Sequence, residues 1–138
     1  KIDKLDLYND SKATNFDSSV TALKSVNPPI ILIAGGKRKK GDYLNWIEQL
    51  KYSTNGIVLF GVNAADLKKN ILESSYKGKI IIEQSLEDAT KASIEIAKET
   101  NSKSILLSPA CASFDQYENY EERGNHFKKI VKGYGIIN

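Results

Sequence analysis

Ile30-Ile31-Leu32-Ile33-Ala34-Gly35-Gly36-Lys37-Arg38-Lys39-Lys40-Gly41-Asp42 contains, in one stretch, the pattern that decides the fold. Its apolar run, Ile30–Ala34, has no polar interruption. A strand with one face in water would alternate apolar and polar residues; an unbroken run is how a strand covered on both faces reads, and it favours a parallel sheet. The two glycines then allow the backbone to turn sharply. Asp42, a good N-cap, opens a helix that places Tyr43, Ile47 and Leu50 on one side.

The same alternation extends outward in both directions. Further short runs rich in Ile, Leu or Val lie at Leu5–Tyr8, Ile57–Phe60, Ile80–Ile82 and Ile105–Leu107. Between them the period becomes helical. Phe16, Val20 and Leu23 share a face, as do Leu67 and Ile71 behind a cap at Asn63. Ser85 and Asp88 resemble a capping box ahead of Ala89, Ala92, Ser93 and Ile96. The last helical segment runs from about Asp115 to Lys132, with Tyr120, Phe127, Ile130 and Tyr134 on its expected buried side and Glu121, Glu122 and Arg123 on its solvated face. Five βα units in series predict an α/β fold: a single open, mostly parallel, Rossmann-like sheet with helices on both faces. No linker, repeat or low-complexity tract interrupts it, so residues 1–138 read as one domain. Strand order does not follow from the pattern.

Composition narrows the class. With 138 residues, 41% hydrophobic and 27% charged, the chain resembles an average globular domain. No run approaches the roughly 18 apolar residues of a membrane span, so no membrane partner is expected. The first residues resemble neither a signal nor a transit peptide, and with no initiator Met the chain is expected to begin inside a longer polypeptide. A lone cysteine, Cys111, cannot form an internal disulfide, which fits the cytoplasm. The net charge of +3 is too mild to imply nucleic acid, and no recognised nucleic-acid motif accompanies it.

In open α/β sheets ligands bind beyond the carboxyl ends of the strands, so the loops there are the places to look for chemistry. Asn9-Asp10-Ser11-Lys12-Ala13-Thr14-Asn15 packs a carboxylate, a cation, hydroxyls and amides at a helix start, where backbone N–H groups can face an anion. Its plain alternative is a capped βα turn. The Gly35-Gly36 loop carries four consecutive cations, Lys37 to Lys40. Its glycine spacing matches neither a dinucleotide-binding motif nor a P-loop. Four like charges repel, which makes a carboxylate or phosphate partner reasonable. Ser108-Pro109-Ala110-Cys111-Ala112-Ser113-Phe114-Asp115-Gln116 follows the fifth run. Its small residues permit close approach, and Ser113 offers a donor. Cys111 reads as a buried thiol rather than a nucleophile, since the sole histidine, His126, lies within the last helix. His126 has no partner at metal-ligand spacing. Trp46 reads as core or interface.

Taken together, Asn9 through Asn15, Ile33-Ala34-Gly35-Gly36, Leu106 through Gln116 and Asn119-Tyr120-Glu121-Glu122-Arg123-Gly124 occur in the order seen in Mur ligases, which this chain resembles over nearly its whole length. The Ser108–Gln116 stretch, with Glu122-Arg123-Gly124 downstream, looks like the branch that adds D-glutamate. The resemblance implies that the chain is the C-terminal, amino-acid-binding domain of a three-domain, ATP-dependent, amide-forming ligase of peptidoglycan biosynthesis. Its partners would be ATP, D-glutamate, UDP-N-acetylmuramoyl-L-alanine and the two other domains, in a monomer. Those domains would bind the UDP-sugar, and the P-loop and magnesium respectively, leaving the isolated chain inactive.

Carried over by motif position, Asp10 would contact the ATP ribose and Lys12 the phosphate region. Thr14 and Lys39 would hold the side-chain carboxylate of D-glutamate. Ser113 would hold its α-carboxylate, helped by backbone near Phe114 and Tyr120; no residue is assigned a catalytic role. The family often has Leu at the position of Phe114 and Phe at that of Tyr120, and both changes keep an apolar wall. Lys39 is chosen over Lys37, Arg38 and Lys40 by counting from Gly36. Two rival readings remain. Another Mur-type ligase, such as one adding meso-diaminopimelate, would carry an Asn-Pro-Arg motif that this chain lacks. A non-catalytic anion- or nucleotide-binding α/β module would need only the fold and the polar loops.

Overall fold

A computed structural model describes residues 4–38 and 41–134. Five strands and five helices alternate along it: β1 (Asp6–Asn9), α1 (Phe16–Ser25), β2 (Ile30–Gly35), α2 (Leu44–Ser53), β3 (Thr54–Phe60), α3 (Ala64–Glu73), β4 (Lys79–Ile82), α4 (Leu86–Glu99), β5 (Ser104–Leu107) and α5 (Tyr120–Gly133). All strand pairings are parallel, in the order β1-β5-β2-β3-β4. The open α/β sheet expected from the alternating periods is therefore present.

The central strands β2 and β5 are wholly buried, and so is most of β3. Side-chain alternation sends Ile30, Leu32 and Ala34 to one face, against Phe16 and Leu23 of α1, Trp46, Ile47 and Leu50 of α2, and Leu67 and Ile71 of α3. Ile31 and Ile33 go to the other face, against Leu86, Ala89 and Ile96 of α4 and Phe127 of α5. Trp46 is a core residue: its indole N–H donates to Ser19 Oγ at 3.0 Å.

Several local expectations need correction. β1 and β4 are not buried on both faces; they form the sheet edges, and Tyr8 and Ile82 are exposed. Apolar composition alone could not separate edge from centre, because that depends on strand order. Asp42 is not the N-cap of α2. The helix starts one residue later, at a Tyr43 cap position with no side-chain cap bond, while Asp42 Oδ1 accepts from Leu44 N–H. Asn63 occupies the cap position of α3, but its Oδ1 accepts from Arg38 N–H in a neighbouring loop. Ser85 does cap α4, accepting from Asp88 N–H. α5 begins at Tyr120, capped by Asn119, so Asp115 to Asn119 form a turn ahead of it. Tyr120 and Tyr134 are exposed, whereas Arg123, read as solvated, is fully buried.

Candidate functional site

The strand order explains where a site forms. From β1 the chain crosses over α1 to β2 and continues through β3 to β4 with α2 and α3 on the same face. It then returns under the sheet through α4 to place β5 between β1 and β2. The loop after β5 leads to one face, and the loops after its neighbours β1 and β2 lead to the other. That reversal opens a crevice at the carboxyl edge.

Hydrogen bonds join the loops across it. Ala110 N–H donates to Ala13 O at 2.9 Å, linking the loop after β5 to the loop after β1. Lys37 and Ala112 exchange two backbone bonds of 2.8 Å, linking it to the loop after β2. The loop after β3 joins through Val62 N–H, which donates to Asp115 Oδ2 at 2.9 Å. Gly36 is required here: its φ is +131°, and a Cβ would stand 2.3 Å from Ala112 O.

Asp10 and Lys12 line a groove of about 530 Å³ between β1 and α1, with Tyr8, Ala22 and Leu106 among its apolar walls. Ser108 Oγ donates to Asp10 Oδ2 at 3.2 Å, fixing the carboxylate. Burial pushes the Asp10 carboxyl above its ordinary value, against the opposing pull of the Ser108 bond and of Lys12. Thr14 is partly buried and adjoins Ala13, at the junction with the loop after β5. Ser113 is 1% exposed, and its hydroxyl is the buried side-chain polar atom that finds no hydrogen-bond partner among the described residues. Such a group carries a desolvation penalty until a partner meets it. Phe114, 66% exposed, stands at the rim. Tyr120 is brought to Lys12 instead, in a separate groove of about 420 Å³ that Ser113 does not line. Lys39, with Lys40, lies outside the described residues.

Two residues matter in ways the sequence reading missed. Arg123 reaches from α5 beneath the crevice, where its Nη1 donates to Cys111 O at 3.0 Å, its Nη2 to Ser11 O at 2.7 Å and its Nε to Ser11 Oγ at 3.0 Å. Burial lowers its pKa to about 10, partly countered by Cys111, Asp115 and Tyr117, so it remains charged at neutral pH. The signal was present: Arg123 lies four residues before Phe127, on the apolar stripe. Arg38, counted as one of four repelling cations, is instead tied down. Its Nη1 donates to Asn70 Oδ1 at 2.6 Å, and its guanidinium lies 4.8 Å from the Tyr43 ring centroid. Lys37 is exposed.

Cys111 is a buried thiol, pushed up to about 12 by burial despite the nearby charges of Arg123 and Arg38. A thiol so far from ionisation is a poor nucleophile. His126 Nδ1 is hydrogen-bonded to the Tyr117 hydroxyl at 2.5 Å. Among the described residues no group of three or more His, Cys, Asp or Glu could hold a metal ion, and no helix is long and apolar enough to cross a membrane.

The four interlocked loops thus carry an anchored carboxylate and an exposed lysine in one groove, and a buried, unpartnered hydroxyl that does not line it. A UDP-N-acetylmuramoylalanine--D-glutamate ligase from Prochlorococcus marinus strain NATL2A is 68% identical to the chain over 136 residues, 99% of this chain and 29% of that protein. The chain is homologous to a segment of these ligases. A ligase of the same name from a second Prochlorococcus marinus strain is 47% identical over 96% of this chain and 29% of its own length. One from Rippkaea orientalis is 46% identical over 95% and 28%. The resemblance read from the motifs therefore holds along nearly the whole chain, which spans about three tenths of the ligases it matches. No family model matches.

Proposed function

We propose that this chain is the C-terminal, amino-acid-binding domain of the ATP-dependent ligase that joins D-glutamate to UDP-N-acetylmuramoyl-L-alanine in peptidoglycan synthesis, in the cytoplasm. The observation that carries this reading is the 68% identity, over 99% of the chain, with a ligase named for D-glutamate. The reaction transfers the ATP γ-phosphoryl group to the substrate carboxylate, releasing ADP. The amine of D-glutamate then attacks the acyl phosphate through a tetrahedral intermediate, and inorganic phosphate leaves.

In this reading the chain's share is placement. Asp10 accepts from the ATP ribose, a role that suits a carboxylate already oriented by Ser108. Lys12, exposed in the same groove, faces the phosphates. Thr14 and Lys39 take the side-chain carboxylate of D-glutamate. Ser113 donates to its α-carboxylate, with the backbone near Phe114 beside it, while Tyr120 lines the separate groove it shares with Lys12. Donors held in place by surrounding loops need no reorganisation as charge develops. Magnesium and the P-loop belong, on this reading, to the part of the ligase that the chain does not span, and the complete enzyme is a monomer.

A chimera tests the assignment. This chain would replace the matching segment of the Prochlorococcus marinus NATL2A ligase, and phosphate release would be followed with UDP-N-acetylmuramoyl-L-alanine and ATP. We expect turnover dependent on D-glutamate and absent with meso-diaminopimelate. A folded chimera that releases no phosphate with D-glutamate would reject the reading.

A further inference from the structure

Ser113 is held between two latches on its own loop. One residue before it, Ala112 is paired through both backbone bonds to Lys37 of the loop after β2. Two residues after it, the Asp115 carboxylate accepts from Val62 N–H of the loop after β3 at 2.9 Å. Those two loops are themselves joined. Asn63 N–H donates to Gly36 O at 3.3 Å, and Arg38 N–H donates to Asn63 Oδ1 at 2.6 Å. The connections close a ring, and within it Ser113 is the member whose buried side chain lacks a partner.

The ring has been made to fit at Asp115. Gly61 has φ +89°, and a Cβ there would stand 2.7 Å from Asp115 Oδ2 and 2.7 Å from Gly36 Cα. The turn bearing Asp115 also folds onto Ser113 itself, whose carbonyl accepts from Gln116 N–H at 3.1 Å and Tyr117 N–H at 2.8 Å. Asp115 is exposed, so its removal opens no core cavity. Its carboxylate nevertheless meets a backbone donor in another loop, and that contact limits how far Ser113 can shift. A charged acceptor makes the bond stronger than a neutral one.

We propose that Asp115 is a specificity-determining positioning residue, which sets the Ser113 hydroxyl at the point where a carboxylate of the incoming amino acid meets it, without touching that substrate. The inference rests on the reading of Ser113 as a D-glutamate contact. In the complete ligase carrying this chain, Asp115→Ala is expected to raise the KM for D-glutamate about tenfold, the equivalent of one charge-assisted hydrogen bond. The KM for ATP and the thermal midpoint should stay near the parent values. Asp115→Asn, whose amide oxygen can still accept from Val62 N–H, should recover most of the loss. The double variant Ser113→Ala with Asp115→Ala should be no worse than Ser113→Ala alone, because the second residue acts through the first.

Additive losses in the double variant would overturn the inference, as would an Asp115→Ala effect shared equally by ATP and D-glutamate. Should Ser113→Ala alone leave the D-glutamate KM unchanged, the assignment of Ser113 falls, and the inference with it. Should Ser113→Ala raise it while Asp115→Ala does not, only the role of Asp115 fails.

Discussion

Arg123 shows how one residue can hold a site together without facing it. Its guanidinium is wholly buried and donates to three acceptors in two loops, Ser11 O, Ser11 Oγ and Cys111 O. Desolvating a guanidinium is expensive, and it is tolerated here because each of its three nitrogens meets an oxygen. Arg123→Ala would leave two buried carbonyls without this donor and a cavity the size of the side chain. We expect about 3 kcal/mol or more of lost stability, since each orphaned buried group costs about 1–3 kcal/mol. Glu121→Ala, on the exposed side of the same helical turn, should change stability by about 0.5 kcal/mol or less. Urea unfolding of the two variants checks this. Equal shifts of the midpoint would mean that the three bonds from Arg123 contribute nothing net.

At the scale of elements, caps separate helices that end themselves locally from helices that share their end groups with the site. Ser85, Asn15 and Asn119 each accept from the N–H three residues on and close their own helices. Asn63 stands at the corresponding position of α3, yet its amide oxygen receives Arg38 N–H from the loop after β2. The helix gives up a local cap, and the loop gains a fixed point. Ser85→Ala should therefore act as an ordinary cap deletion, lowering stability by about 1 kcal/mol. Fraying confined to the start of α4, measured as faster amide exchange at Asp88 and Ala89, whose N–H groups are bonded to Ser85, would accompany it. Unchanged exchange there would show that packing of Leu86 and Ala89, not the cap, holds that turn.

The whole molecule places its polar loops at one edge by topology: β5 enters the sheet between β1 and β2, and its following helix α5 lies on the face opposite to α1 and α2, which follow those two neighbours. The resulting crevice is open, with Lys12 and Asp10 on one wall. The sequence contains no P-loop motif. Phosphoryl transfer needs the phosphates clamped and the charge neutralised, usually by a P-loop and magnesium. We therefore expect the isolated chain, supplied with ATP and magnesium, to produce ADP no faster than buffer alone. Magnesium-dependent turnover by the purified chain would refute the division of labour proposed for it.

The unbroken apolar runs from Ile30, Ile57 and Ile105 were enough to determine a parallel sheet sandwiched between helices, because only burial on both faces tolerates such runs. The order of the loop motifs was enough to indicate the ligase resemblance. Which strands lie at the edge, and hence the exposure of Tyr8 and Ile82, depended on the crossing from β4 back to β5, a long-range choice that leaves no local pattern. The same is true of the site. Asp10, Lys12, Thr14 and Ser113 were expected as site residues through the family resemblance, whereas the ring that encloses Ser113 left no trace in the sequence. Nor could the departure of Arg38 from its neighbouring lysines be read, since its hydrogen bond to Asn70 comes from α3, 32 residues away. A hydrogen bond between loops some 50 residues apart, such as Val62 to Asp115, exists only once the backbone has been brought together. Sequence periodicity reports what each segment buries; only the assembled sheet decides which loops meet.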